Sequence, residues 1–154
     1  MFSDLELATN AAIKAGDIIL NYFKSDYEIK EKGYHNPVTT ADKAADNFLK
    51  RTLMEDRSEY GWLSEETVDS FERLNKSKVW IVDPLDGTKE FIEGVANFVV
   101  SIGLVQDGYP IVGVLYNPVS KELFSAAKNK GAYLNGLSIK CSSKENLSDM
   151  SLLI

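Results

Sequence analysis

The hydrophobic periodicity of this chain changes near residue 60, and that change most limits the folds open to it. Before that point, apolar residues recur every three to four positions, which is the spacing of helices that bury one face. After it, short apolar runs alternate with turn signals such as Asp107-Gly108, a pattern typical of strands joined by hairpins. We therefore predict two helices followed by a mainly antiparallel sheet, packed as an α+β layered sandwich.

The two helical segments carry their own start signals. Ser3 and Glu6 have capping-box spacing before an apolar face that extends to Phe23. Thr39 or Thr40 can cap a second helix that runs to about residue 54. The charged segment 24–32 between them leads into residues 33–37, where glycine and proline predict a loop.

The second part of the chain is predicted to be strands and turns, without repeats or a low-complexity linker. At 154 residues, the chain has the size of a single domain with a real core. The predicted strands are 61–63, 79–82, 98–105, 111–116, 122–126, 132–134 and 150–154.

Composition excludes several classes of function. There are 17 Lys and Arg against 23 Asp and Glu, a net charge of −6, and no basic stripe, so a nucleic-acid polymer is not an expected partner. Cys141 is the only cysteine, which rules out an internal disulfide. The amino terminus lacks a signal pattern and no apolar stretch approaches the roughly 20 residues of a membrane span. We expect a cytoplasmic protein without a transmembrane segment, and peripheral attachment to the inner face of the membrane is left open.

The acidic residues of segment 80–91 predict a metal site. An apolar strand delivers Asp83 and Asp86 into a turn that contains Pro84 and Gly87. Carboxylates and a main-chain carbonyl on one turn form the all-oxygen cluster that Mg²⁺ prefers. If Thr88 begins a short helix, the first amides of that helix face a phosphate. Taken alone, the same residues are also those of an ordinary turn.

Two other segments place acids at comparable positions. Glu65 and Glu66 follow the apolar run 61–63 and have no basic neighbour in sequence. Asp42 follows a hydroxyl-rich turn at the start of the second helix. Alone, the first pair is typical of a solvated loop and Asp42 is typical of ordinary capping.

Taken together, these segments resemble the signatures of the inositol monophosphatase superfamily in order and spacing. The matching segments are Pro-Val-Thr-Thr-Ala-Asp at 37–42, Ser-Glu-Glu at 64–66, Trp-Ile-Val-Asp-Pro-Leu-Asp-Gly-Thr at 80–88 and Gly-Ala-Tyr-Leu-Asn-Gly at 131–136. The resemblance implies the amino-terminal half of an αβαβα fold, with Mg²⁺ as cofactor and a metal-activated water as nucleophile. It implies the following roles: metal ligands Glu65, Asp83, Asp86 and the carbonyl of Leu85; catalytic residues Asp42, Thr88 and Glu65; phosphate-binding residues Gly87 and Thr88.

Lys89-Glu90 narrows the resemblance, because this pair is similar to the 3'(2'),5'-bisphosphate nucleotidases. The resemblance to these nucleotidases implies a lithium-sensitive phosphatase that converts 3'-phosphoadenosine 5'-phosphate to AMP and phosphate. Three alternatives stay open at this point. In the first, the substrate is inositol monophosphate. In the second, the Lys89-Glu90 pair only stabilises a surface helix. In the third, the chain is a catalytically incomplete fragment that binds metal.

The chain also departs from the family pattern. Nothing after Gly136 matches the carboxy-terminal Trp-Asp-x-Ala segment, whose aspartate is a further metal ligand in the family. The loop before Pro37 reads Gly-Tyr-His-Asn in place of an acidic, serine-containing stretch, which predicts an altered third metal position. We therefore expect residues 1–154 to form an amino-terminal metal-binding domain without its carboxy-terminal partner. Such a domain would associate with itself or need the missing half.

Overall fold

The computed structural model describes residues 3–33, 36–143, 146 and 148. No helix in these residues has the length and apolar character needed to cross a membrane. The helices are α1 Asp4–Leu20, α2 Thr40–Asp56 and α3 Thr88–Ile92, with a 3-10 turn at Glu72–Asn75. The strands are β1 Ile29–Gly33, β2 Asn36–Thr39, β3 Gly61–Ser64, β4 Lys78–Asp86, β5 Val99–Gln106, β6 Tyr109–Asn117, β7 Glu122–Ala127, β8 Gly131–Leu134 and β9 Leu137–Ile139.

Both long helices begin at predicted caps, and both caps form capping boxes, of which the sequence had predicted the first. The Ser3 hydroxyl accepts from the Glu6 amide, and the Glu6 carboxylate accepts from the Ser3 amide in return. In α2 the cap is Thr39, and its partner is the buried Asp42. Each cap satisfies amides that would otherwise lack an intrahelical partner.

A seven-stranded sheet follows the chain in simple order, from β3 to β9. The β3–β4 pair is parallel and the other five pairs of this sheet are antiparallel. Asp107 and Gly108 join β5 to β6 with φ of 50° and 83°, as a two-residue hairpin turn requires. The predicted α+β layered architecture with a mainly antiparallel sheet is confirmed.

The core lies between the helices and one face of this sheet. Helix α1 packs on β5 and β6, and α2 packs on β4. Alternate strand residues point toward the helices, so that Ile102 and Val114 are buried. Gly16 lets α1 approach the sheet, because an added Cβ there would lie 2.7 Å from the ring of Tyr116.

The opposite face of the sheet forms an open apolar groove of about 450 Å³. Its walls come from β5 to β9 and include Leu115, Phe124 and Ile139. These three side chains are 38–42% exposed. Solvent-exposed apolar side chains of this size, grouped on one surface, are typical of a surface that contacts other protein.

Two predictions about the connecting segments were wrong. Residues 29–33 and 36–39 form an antiparallel ribbon, β1–β2, where glycine and proline had predicted a loop around 33–37. Burial of Val38 and the bond from the Thr40 amide to the Glu28 carbonyl hold this ribbon against α2. Helix α1 ends at Leu20, before Phe23, which leaves the helix and packs on the rings of other core residues. His35 and the predicted strand 150–154 lie outside the described residues.

A polar cluster ties the two ends of the helical layer together. The Asp4 carboxylate at the start of α1 accepts from Arg57 Nε at 2.8 Å, from Lys78 Nζ at 3.1 Å and from the Tyr60 hydroxyl. Burial alone would raise the pKa of Asp4. The hydrogen bonds from Arg57 and Lys78 outweigh burial and hold the pKa of this carboxyl below its ordinary value.

Candidate functional site

The carboxyl end of β4 forms the centre of the candidate site. The ladder between β4 and β5 shifts register between Asp83 and Asp86, where Pro84 interrupts regular pairing. The Leu85 amide donates to Asp83 Oδ1 at 3.1 Å, so the turn bends around the Asp83 side chain. Gly87 follows with φ of 97°, and an added Cβ there would lie 2.8 Å from the Asn97 carbonyl oxygen. Glycine is therefore required to close this turn.

Helix α3 begins at the predicted Thr88, whose hydroxyl lies between two acceptors. Thr88 Oγ1 is 3.0 Å from Asp42 Oδ1 and 3.0 Å from the Leu85 carbonyl oxygen. The other oxygen of Asp42 accepts from the Thr39 amide at 2.7 Å and from the Thr39 hydroxyl at 2.6 Å. Residues 46 positions apart in sequence therefore meet in one hydrogen-bonded pair. Burial raises the pKa of Asp42 despite its bonds from Thr39 and Thr88.

The parallel pairing of β3 with β4 brings Glu65 to the same place. Ser64 lies opposite Val82, and the Glu65 amide donates to the Val82 carbonyl at 3.2 Å. Because parallel strands end at the same edge of a sheet, Glu65 emerges beside Asp83. The Glu65 side chain is hydrogen-bonded to Asp83.

These side chains open onto one cleft of about 220 Å³. All predicted ligand and phosphate-binding residues line the cleft, whereas Asp42 lies behind it, 1% exposed, and contacts it through Thr88. The lining residues are Pro37, Glu65, Asp83, Leu85, Asp86, Gly87, Thr88, Lys89 and Glu90.

The acidic side chains of the cleft repel each other. Burial, the charge and hydrogen bond of Glu65 and the charge of Asp86 raise the pKa of Asp83 from 3.8 to about 7. In the part of the chain that the structure describes, no three His, Cys, Asp or Glu side chains are arranged to hold a metal ion in this conformation. The donor set nevertheless fits a hard divalent cation, because the carboxylates of Glu65, Asp83 and Asp86 and the carbonyl of Leu85 are all oxygen donors on residues that line the cleft.

Comparison with known proteins identifies the origin of this arrangement. The sequence profile of the inositol monophosphatase family matches residues 3–154. The chain belongs to the inositol monophosphatase family. The superfamily resemblance deduced from the acidic segments is therefore confirmed.

Relatives of this family share both sequence and backbone with the chain. Inositol monophosphatase 3 of Solanum lycopersicum is 42% identical over 146 residues, which cover 93% of this chain and 54% of the relative. The SuhB structure from Bartonella henselae superimposes with a TM-score of 0.84 at 32% identity, over 90% of this chain and 54% of SuhB. The chain thus spans about half the length of the relatives that it matches.

One relative has been solved with two different ligands. SaIMPase-II bound to inositol monophosphate matches with a TM-score of 0.75 at 30% identity, over 92% of this chain and 50% of that protein. The same protein bound to 2'AMP matches with a TM-score of 0.76 at 28% identity, over 92% and 52%.

The sequence analysis did not identify one buried carboxylate beside the site, that of Asp46. Asp46 lies one helical turn after Asp42 on α2 and is 5% exposed. It accepts hydrogen bonds from the hydroxyls of Ser64 and Thr67, which flank Glu65. The available signal was an acid on the apolar side of an amphipathic helix, where a buried carboxylate needs donors.

Proposed function

We propose that this protein is a Mg²⁺-dependent phosphomonoesterase, or the metal-binding part of one. The observation that carries the proposal is the meeting of Glu65, Asp83 and Asp86 in one cleft beside the Asp42–Thr88 pair. Acidic neighbours that raise the pKa of Asp83 favour binding of a divalent cation, because the cation relieves their repulsion. The acidic cluster with its cation would then supply charge stabilisation, and the Asp42–Thr88 pair would supply proton transfer at the same place.

The metal ligands in this proposal are the carboxylates of Glu65, Asp83 and Asp86 and the Leu85 carbonyl. Bound Mg²⁺ supplies an acidic water and offsets charge on a transferring phosphoryl group. The protein's contribution is to hold the oxygen donors on two chain segments, the end of β3 and the end of β4, which pair in parallel in the sheet. Glu65 is also proposed to act at the reacting centre, in addition to its role as a metal ligand.

Thr88 and Asp42 are proposed to orient and accept the proton of the attacking water. The Thr88 hydroxyl has one hydrogen, which it shares with Asp42 Oδ1 and the Leu85 carbonyl oxygen. The lone pairs of Thr88 Oγ1 remain available to accept a hydrogen bond from a water in the cleft. Because burial raises the pKa of Asp42, its carboxylate is a stronger base than an exposed aspartate.

The phosphate of the substrate is proposed to bind the backbone amides of Gly87 and Thr88, where α3 begins. The left-handed conformation of Gly87 brings the backbone to the surface of the cleft without an intervening side chain. Binding at this position would hold the phosphorus within reach of a water on Thr88.

The proposed substrate class is a small phosphorylated metabolite, and inositol monophosphate is the first candidate. Relatives that cover 93% of this chain are named inositol monophosphatases, and one solved relative binds inositol monophosphate. The second candidate is the 3'-phosphate of 3'-phosphoadenosine 5'-phosphate. The presence of Lys89 and Glu90 in the cleft wall favours it, as does the 2'AMP complex of the solved relative.

We also propose that residues 1–154 act as the amino-terminal metal-binding domain of a longer fold. The chain covers 54% of the length of a relative, and the groove between β5 and β9 is apolar and exposed. The proposed occupant of this groove is the segment that corresponds to the second half of an inositol monophosphatase, supplied in the same chain or by a second chain.

The experiment is phosphate release from inositol 1-phosphate and from 3'-phosphoadenosine 5'-phosphate, side by side, with Mg²⁺ and Asp83→Asn as the blank. Release above the blank from either compound supports the phosphatase proposal, and the faster one identifies the substrate. If both are silent, the second half of a relative is added in trans. Silence after that addition, with both parts folded, contradicts the proposed activity.

A further inference from the structure

Helix α2 presents two buried carboxylates to the candidate site, one turn apart. Asp42 and Asp46 are 1% and 5% exposed and lie at positions i and i+4, so they share one face of the helix. Each binds hydroxyl groups from segments distant in sequence. Asp42 accepts a hydrogen bond from Thr88, two residues after Asp86, and this Asp42–Thr88 pair is already part of the proposed site. Asp46 has no part in that pairing.

Both oxygens of Asp46 are used on one short segment. Ser64 Oγ donates to Asp46 Oδ1, and Thr67 Oγ1 donates to Asp46 Oδ2 at 2.7 Å. Ser64 Oγ in turn accepts from the Glu66 amide at 3.3 Å. These bonds close a bridge from α2 to both ends of segment 64–67, with Glu65 inside it.

We infer that Asp46 is a positioning residue, which fixes the backbone that carries Glu65 through its bonds to Ser64 and Thr67. Strand β3 ends at Ser64, and the bond from the Glu65 amide to the Val82 carbonyl extends the pairing with β4 to Glu65. A carboxylate with both oxygens bound is a rigid anchor on a helix that is packed on β4. This inference rests on the proposed role of Glu65 as a metal ligand.

With both carboxylates, α2 holds the ligand-bearing segments on the two sides of the cleft. Asp42 holds the segment of Asp83 and Asp86 through Thr88, and Asp46 holds the segment of Glu65. Groups that orient metal ligands without touching the metal typically change metal affinity about 10- to 100-fold when they are lost. Removing one of the two Asp46 bonds should have a smaller effect, about three- to tenfold.

Thr67→Val is the informative variant, because valine keeps the shape of threonine and removes the hydroxyl. Thr67→Ser is its matched control, since it keeps the hydroxyl and removes the methyl group. Asp46→Asn is a second test of the same bridge from the side of α2. Circular dichroism and thermal unfolding establish that each variant is folded before it is compared.

Two readouts separate the positioning role from the proposed function. The first is the amide hydrogen exchange of Glu65 and Glu66 in EDTA, where no metal takes part. We expect about five- to tenfold faster exchange in Thr67→Val, because this variant loses about one hydrogen bond. We expect no change in Thr67→Ser. The second is the dissociation constant for Mn²⁺, measured by its electron paramagnetic resonance signal. We expect it to rise three- to tenfold in Thr67→Val and less than twofold in Thr67→Ser.

Each pattern of results decides the inference. Faster exchange and weaker Mn²⁺ binding in Thr67→Val and Asp46→Asn, with Thr67→Ser like the wild type, support it. Unchanged exchange in the folded Thr67→Val variant overturns it. If the wild type does not bind Mn²⁺, the metal site of the proposed function is wrong, and the assignment of Asp46 as a positioning residue for a metal ligand is wrong with it. The exchange rates then still show whether the bridge holds the segment.

Discussion

Replacing Asp83 with asparagine should stabilise the metal-free protein at pH 8. In the folded chain, burial and the neighbouring acids raise the pKa of Asp83 from 3.8 to about 7, so ionising this carboxyl above pH 7 opposes folding. About three pKa units correspond to about 4 kcal/mol at most. Because Asp83 is only half-buried and solvent screens part of the repulsion, we expect Asp83→Asn to add about 1–2 kcal/mol to the free energy of unfolding.

The sign of this effect gives it a defined pH window. Below about pH 4 the carboxyl is protonated in both states, and Asp83 costs nothing. Between pH 4 and 7 the unfolded chain loses its proton before the folded chain does, so the folded wild type becomes progressively less stable than Asp83→Asn. Above pH 7 the difference is constant.

The assay is urea unfolding in EDTA at pH 4, 6 and 8, followed by fluorescence of the two tryptophans. Asp107→Asn is the control, because it removes the same charge from an exposed hairpin turn. With saturating Mg²⁺ the order should reverse, since the wild type gains binding free energy that the variant lacks. Destabilisation by Asp83→Asn at pH 8 in EDTA, or a gain that does not depend on pH, would refute the reasoning about repulsion in the cleft.

Three further predictions concern the turn, the hydroxyl pair and the polar cluster. Gly87→Ala should lower the free energy of unfolding by about 2–4 kcal/mol, because its φ of 97° is unfavourable for alanine and its Cβ would meet the Asn97 carbonyl; an unchanged urea midpoint would show that the turn tolerates a side chain. Thr88→Val should reduce phosphate release at least 100-fold while Thr88→Ser retains most of it, and equal rates for the two variants would remove the hydroxyl from the reaction. Asp4→Asn should cost about 2 kcal/mol at pH 7. Because the pKa of Asp4 is lowered by folding, this cost should disappear as the pH falls below about 4, and thermal unfolding of both proteins from pH 2 to 7 measures it.

Local signals in the sequence were sufficient for much of this fold. Ser3 and Glu6 form the capping box that their spacing predicts, and Thr39, one of the two threonines predicted as a cap, caps α2. Asp107-Gly108 adopts the turn that its two positive φ values allow. Because these features depend on residues close together in sequence, they can be predicted from the sequence pattern.

The parts that sequence reasoning missed depend on partners far along the chain. The ribbon β1–β2 forms despite Pro37, because Val38 gains burial against the core, and no local pattern shows that. Asp46 finds Ser64 and Thr67 about 20 positions away, after α2 and β3 have packed. The acidic segments were recognised only through their resemblance to a family, since each alone was compatible with an ordinary turn.

The central claim is that Glu65, Asp83 and Asp86 together hold a divalent cation. Calorimetric titration of Mg²⁺ into the wild type, Asp83→Asn and the control Asp107→Asn tests it most directly. The account predicts saturable binding by the wild type and by Asp107→Asn, and at least tenfold weaker binding by Asp83→Asn. Equal affinities for all three proteins, or no binding by the folded wild type, would contradict it.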